Sequence, residues 1–114
     1  MSRRFQVVQA QVQTSDDPIR FQVGDSLHIE RQEPDQPDWF WVTGPGGRSG
    51  WVFRAFLSGD SGAVTGLRDY DATELDVQAG EGGEALEDAD GWWLCRMSGG
   101  GRRGWIRASH LELS

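Results

Sequence analysis

Four blocks of residues occur twice, in the same order, in a chain of 114 residues. Ile19-Arg20-Phe21-Gln22-Val23-Gly24-Asp25 returns as Leu75-Asp76-Val77-Gln78-Ala79-Gly80-Glu81, both reading apolar, charged, apolar, Gln, small, Gly, acid, at an offset of 56 (80 − 24). Trp39-Phe40-Trp41-Val42 is matched by Trp92-Trp93-Leu94-Cys95 at an offset of 53 (92 − 39). Gly50-Trp51-Val52 is matched by Gly104-Trp105-Ile106, and Leu57 by Leu111, both at 54 (104 − 50 and 111 − 57). The small drift falls between blocks, where surface loops accept insertions. A duplicated order of this kind constrains the fold more than any single motif, because each repeat is one supersecondary unit. Composition places the boundary in Ser58-Gly59-Asp60-Ser61-Gly62, a stretch that reads as flexible linker. The expected modules are 1–58 and 64–114, with 59–63 between them.

The local pattern is all β. Val8, Ala10 and Val12 alternate with Gln9, Gln11 and Gln13, and Leu27 and Ile29 with Ser26, His28 and Glu30. Alternation at period two marks half-buried strands. Trp39-Phe40-Trp41-Val42 and Trp51-Val52-Phe53 are aromatic and β-branched runs, separated by a Gly-rich hairpin signal. Met97-Ser98-Gly99-Gly100-Gly101-Arg102-Arg103-Gly104 occupies the same place in the second half. Short strands joined by Gly-rich turns define small barrels or sandwiches. Alternation puts Trp39 with Trp41 on one face and Phe40 with Val42 on the other, so one of each pair is expected in the core and the other exposed to a ligand.

Charge narrows the partners. The formal net charge is −7, against the basic face that nucleic acid or anionic lipid requires. All 11 basic residues are Arg, whose planar fork pairs carboxylates better than an ammonium does. The single cysteine, Cys95, excludes an intramolecular disulfide and reads as a small core residue. His28 and His110 with one Cys make no metal-ligand spacing, and Gly99-Gly100-Gly101 lacks the GK[ST] ending of a phosphate loop. No cofactor or metal is expected. MSRRFQVVQAQVQ has no apolar core of a secretory signal, so a cytoplasmic location is expected.

With these blocks in order, the residues resemble Src-homology-3 (SH3) domains. Gly66-Leu67-Arg68-Asp69-Tyr70 resembles the ALYDY motif, Ala79-Gly80-Glu81 the diverging turn, and Asp90-Gly91-Trp92-Trp93 the block opening the third strand. Gly104-Trp105-Ile106-Arg107-Ala108-Ser109-His110-Leu111 resembles the closing segment. The first half matches the later motifs (Val23-Gly24-Asp25, Trp39-Phe40-Trp41, Gly50-Trp51-Val52) without an ALYDY. The layout is similar to short bacterial proteins made of two variant modules. The resemblance implies two tandem SH3-like small β-barrels packed against each other, and a non-catalytic, adaptor-like module that binds protein or peptide.

Such a module docks extended, Pro-rich peptides on flat aromatic rings, which costs little ordering entropy. Carried over by position, the groove of the second half takes Trp92 and Tyr70, with Arg68, Arg107 and His110 at the three remaining places. In the first half it takes Trp39, Phe53 and Phe56, with Gln9 and Gln11 near the ALYDY tyrosine positions. Nine carboxylates (Asp69, Asp71, Glu74, Asp76, Glu81, Glu84, Glu87, Asp88 and Asp90) run with no Arg among them. By resemblance they line two long loops flanking Trp92 and hold a basic ligand residue. The alternative reading of that arm is a solvated acidic surface. Two other functions compete with peptide binding. One is a structural or assembly module whose aromatic surfaces are used between modules or in a homodimer. The other is binding of cell-wall peptidoglycan. The obvious carboxylates fall in loops rather than an apolar cleft, so acid–base catalysis is not expected.

Overall fold

A computed structural model describes residues 3–13 and 17–114. Among them the regular structure is all strand, apart from three single 3-10 turns. In chain order the strands are β1 (Arg3–Val7), β2 (Arg20–Phe21), β3 (Ser26–Gln32), β4 (Trp39–Thr43), β5 (Ser49–Phe53), β6 (Gly62–Thr65), β7 (Tyr70–Asp71), β8 (Gly82–Ala89), β9 (Trp92–Met97), β10 (Arg103–Arg107) and β11 (Leu111–Leu113). No helix is long and apolar enough to cross a membrane among the described residues.

The chain folds into two compact units that do not coincide with its sequence halves. One, the terminal unit, is built from Met1–Asp16 and Thr73–Ser114; the other, the central unit, is Asp17–Ala72. The terminal unit carries a five-stranded sheet in the order β10-β9-β8-β1-β11, and the central unit a four-stranded sheet in the order β5-β4-β3-β6. All these pairs are antiparallel. The units therefore differ in the origin of one strand. β1, from the start of the chain, lies between β8 and β11 of the second repeat, whereas β6, from the start of the second repeat, lies beside β3 of the first. The supposed linker is a turn inside the central unit. Gly62 already pairs with Ile29, and the Ser58 hydroxyl accepts the Thr65 N–H at 2.9 Å. Ser, Gly and Asp suit turns and linkers equally, so composition alone does not separate the two.

The central hairpins, the bulge and the glycine turns repeat. The register of β4 on β5 opposes Trp39 to Phe53, and that of β9 on β10 opposes Trp92 to Arg107. A register irregularity between Ile29 and Arg31 recurs between Ala85 and Glu87, the mark of a β-bulge placed once per repeat. The Gln-x-Gly-acid blocks are tight turns. Gly24 and Gly80 have φ of 87° and 99°, values open to glycine and costly for other residues. The acid closes each turn: the Asp25 carboxylate accepts the Gln22 N–H at 2.8 Å, and the Glu81 carboxylate the Gln78 N–H at 2.7 Å. The Gly-Trp blocks are explained by close approach. A Cβ at Gly50 would stand 2.8 Å from the Ile19 side chain, and one at Gly104 2.8 Å from the Leu75 side chain.

The core of the terminal unit is Phe5, Val7, Leu75, Val77, Ala85, Cys95, Met97 and Ile106. Burial pushes the Cys95 thiol up to about 12, since a thiolate there would lose its hydration. In the central unit Ile19, Phe21, Leu27, Phe40, Val42 and Val52 are buried. Phe40 and Val42 take the core face, as alternation requires.

Candidate functional site

Both repeats contribute to one series of aromatic rings in the central unit. Trp39 opens β4 and Phe53 closes β5 opposite it, with ring centroids 5.4 Å apart. Phe56, in the 3-10 turn Arg54–Phe56, stands 5.8 Å from Phe53. Tyr70, in β7, stands 5.2 Å from Phe56. The tilted and edge-on arrangements are those that aromatic quadrupoles favour. The Tyr70 hydroxyl donates to the Trp51 carbonyl at 3.1 Å, and a further ring, Phe21, lies 5.5 Å behind it. The Arg68 guanidinium sits over Phe56 at 4.5 Å from its centroid, a cation–π contact.

Residue by residue, the expected site divides between the units. Tyr70 joins Trp39, Phe53 and Phe56 rather than Trp92. The reason is topological: the segment Gly62–Asp71 pairs with β3 and β2. Trp39 is less open than alternation alone implies, at 8% exposure, because Phe53 covers it. Phe56 and Tyr70 are similarly enclosed at 6% and 9%, while Phe53 is half-buried and forms the open part of the series. Beside Trp39 runs the loop 33–38, which contains Glu33, Pro34, Asp35, Pro37 and Asp38. It is pinned at one end by the Glu33 N–H donating to the Trp39 carbonyl, and at the other by the Trp39 N–H donating to the Gln36 carbonyl and by Arg54, whose backbone and guanidinium both reach Asp38.

The corresponding place in the terminal unit is built differently. Trp92 is half-buried, and the Arg107 guanidinium lies over its indole at 4.6 Å. The position equivalent to Tyr70 is Gln11, which is 8% exposed. Its amide donates to the carbonyls of Leu75 and Trp105, and its oxygen accepts the Arg107 N–H, each at 3.0 Å. Tyr70 and Gln11 thus do the same structural task, since both reach the carbonyl of the Gly-Trp tryptophan. His110 is half-buried, with a buried Nδ1 that has no partner.

The acidic arm is not a pair of long loops around Trp92. Glu84, Glu87 and Asp88 lie within β8, and only Asp90 and Gly91 separate it from β9. Asp90 has φ 42° and Gly91 φ 91°, the two left-handed residues of a tight hairpin turn. The lack of Arg in that stretch of sequence is offset in space. Arg96 reaches Glu84 at 3.0 Å and Arg102 reaches Glu81 at 3.1 Å. Asp76 accepts the Gln13 N–H. One cluster was not anticipated from sequence: Arg31 lies 5.4 Å from the rings of both Trp41 and Trp51, which pack edge-on. The period-two placement of Arg31 and Trp41 on neighbouring strands is the only sequence signal for it.

Residues 64–114 match the sequence model of the family described as variant SH3 domain. No curated protein and no solved structure matches the chain. The match supports an SH3-like fold for this part, a type of domain that serves as a non-catalytic protein-interaction module. The matched span opens in β6, so it begins in the central unit and ends in the terminal one.

Proposed function

We propose that this protein is a non-catalytic binding module whose ligand docks on Phe53, the open ring of a series whose enclosed base is Trp39, Phe56 and Tyr70. The supporting observation is the continuity of the series, with four rings in sequence at 5.2 to 5.8 Å. An extended, Pro-rich peptide suits it, because a stiff chain on flat rings loses little entropy. Glu33 and Asp35, beside Trp39, favour a basic residue at that end of the ligand. The area is small, so affinity is weak. The Trp92 position reads instead as structural, since it belongs to the terminal unit and not to this ring series, and Arg107 lies over its indole.

Amide spectra of the labelled protein test this against three peptides: Pro-rich with a terminal Arg, Pro-rich without it, and Arg-rich without Pro. The expected result is shifts at Phe53, the Trp39 indole and residues 33–38, largest with the first peptide and reduced by Phe53→Ala. Absence of shifts at millimolar peptide, or shifts centred on Trp92, would count against this site.

A further inference from the structure

We propose that side-chain size commits the chain to exchanging its first strands, so that β1 fits only the sheet of the second repeat and β6 only that of the first. The alternative is concrete, because the family match covers 64–114 as one span and so takes β6 together with the second repeat. β1 and β6 are equivalent at an offset of 59 (64 − 5): Phe5 opposes Gly83 as Val64 opposes Leu27, and Val7 opposes Leu111 as Gly66 opposes Leu57. Toward β8 and β3, the larger strand residue meets the smaller partner. Phe5 faces Gly83, which has no side chain, while the smaller Val64 faces Leu27.

The next inward position is stricter. A Cβ at Gly66 would stand 2.6 and 2.8 Å from two ring carbons of Phe21. In the terminal unit the residue equivalent to Phe21 is Val77, and there Val7 is accommodated and buried. Restoring each strand to its own repeat would drive Val7 into Phe21 and Phe5 against Leu27. It would also leave Val64 and Gly66 in a core shaped for Phe5 and Val7. One arrangement overpacks and the other leaves a void, and close-packed interiors tolerate neither. Charge agrees with size: Arg4 opposes Glu84 in the exchanged register, and would oppose His28 otherwise. This inference concerns the assembly of the units and stands independently of ligand binding.

Two full-length cysteine-pair variants test it. Gln6→Cys with Glu112→Cys joins residues opposed in the exchanged register. Gln6→Cys with Ser58→Cys joins those that would be opposed if β1 stayed with its own repeat, because Ser58 bonds to Thr65, the equivalent of Gln6. Opposed strand residues lie within disulfide reach, and the buried Cys95 stays silent. The expected result is an intrachain disulfide in the first variant and none in the second. Closure of the second, or failure of the first to close within one chain, overturns the proposal. Gly66→Val supplies a second readout. It is expected to lower the thermal midpoint by several degrees against Phe21, whereas a self-contained second repeat would place this residue beside Val77 and leave the midpoint unchanged or raised.

Discussion

The rings of Phe56 and Tyr70 stand 5.2 Å apart, although Phe56 closes the first sequence repeat and Tyr70 belongs to the segment that opens the second. The contact follows from strand exchange, and it makes the candidate binding surface a product of both repeats. A ring series read from either repeat alone is incomplete.

Tyr70 holds its place by hydrogen bonding as well as by packing. Tyr70→Phe keeps the ring and removes the bond to the Trp51 carbonyl. The expected loss is about 1 kcal/mol in denaturant unfolding, with peptide binding retained. A loss of binding without a loss of stability would show that the hydroxyl serves the ligand rather than the fold.

Gln11 is more exposed to failure because its buried amide satisfies three backbone groups. Gln11→Leu keeps the volume but takes the side-chain partner from the Leu75 carbonyl and the Arg107 N–H, while the Trp105 carbonyl keeps the Leu75 N–H. The cost is expected to exceed about 2 kcal/mol, since each buried orphan group carries a penalty of roughly 1–3 kcal/mol. Chemical denaturation monitored by near-ultraviolet dichroism measures it, and a change under about 0.5 kcal/mol would contradict the assignment.

Arg107→Ala uncovers Trp92. An exposed cation–π contact contributes only about 0.5–1 kcal/mol, so stability is expected to change little. The Trp92 indole resonance is expected to shift and to exchange faster with solvent. An unchanged indole signal would place the guanidinium elsewhere in solution.

Cys95 is expected to resist alkylation in the native state and to react on unfolding. Its thiol is raised from 9.0 to about 12, so at pH 8 the reactive thiolate is about a thousandfold scarcer than in the unfolded chain. The sign for stability follows. The folded chain holds this proton more tightly, so the contribution is fully present below pH 9 and is lost as pH rises toward 12. Rapid native-state labelling at pH 8 would show an open environment.

Much of the candidate site is legible in the sequence because it depends on neighbours along the chain. The Gln-x-Gly-acid turns are local: a glycine takes positive φ, and the acid caps the residue three before it. Trp39 and Phe53 are equally readable, since a hairpin fixes their opposition once its turn is known. The enclosure of Trp39 and the guanidinium over Trp92 are not, because they depend on which side chain fills the next strand. The acidic run misleads for the same reason, as Arg96 and Arg102 come from later strands.

By itself, the sequence determined the repeat, the central hairpins, the turn glycines and the all-β class, because alternation and turn chemistry act over a few residues; the alternating run 8–13 misled, since β1 ends at Val7, and Val8 and Val12 are exposed while Gln11 is buried. Only the tertiary structure decided which first strand enters which sheet. Two near-equivalent strands offer the same backbone hydrogen bonds to either sheet. The choice between them falls to the volumes of Phe5, Val7, Val64 and Gly66 against residues such as Phe21, Leu27 and Gly83. Those are fits between positions distant in sequence, and they exist only once the chain is packed.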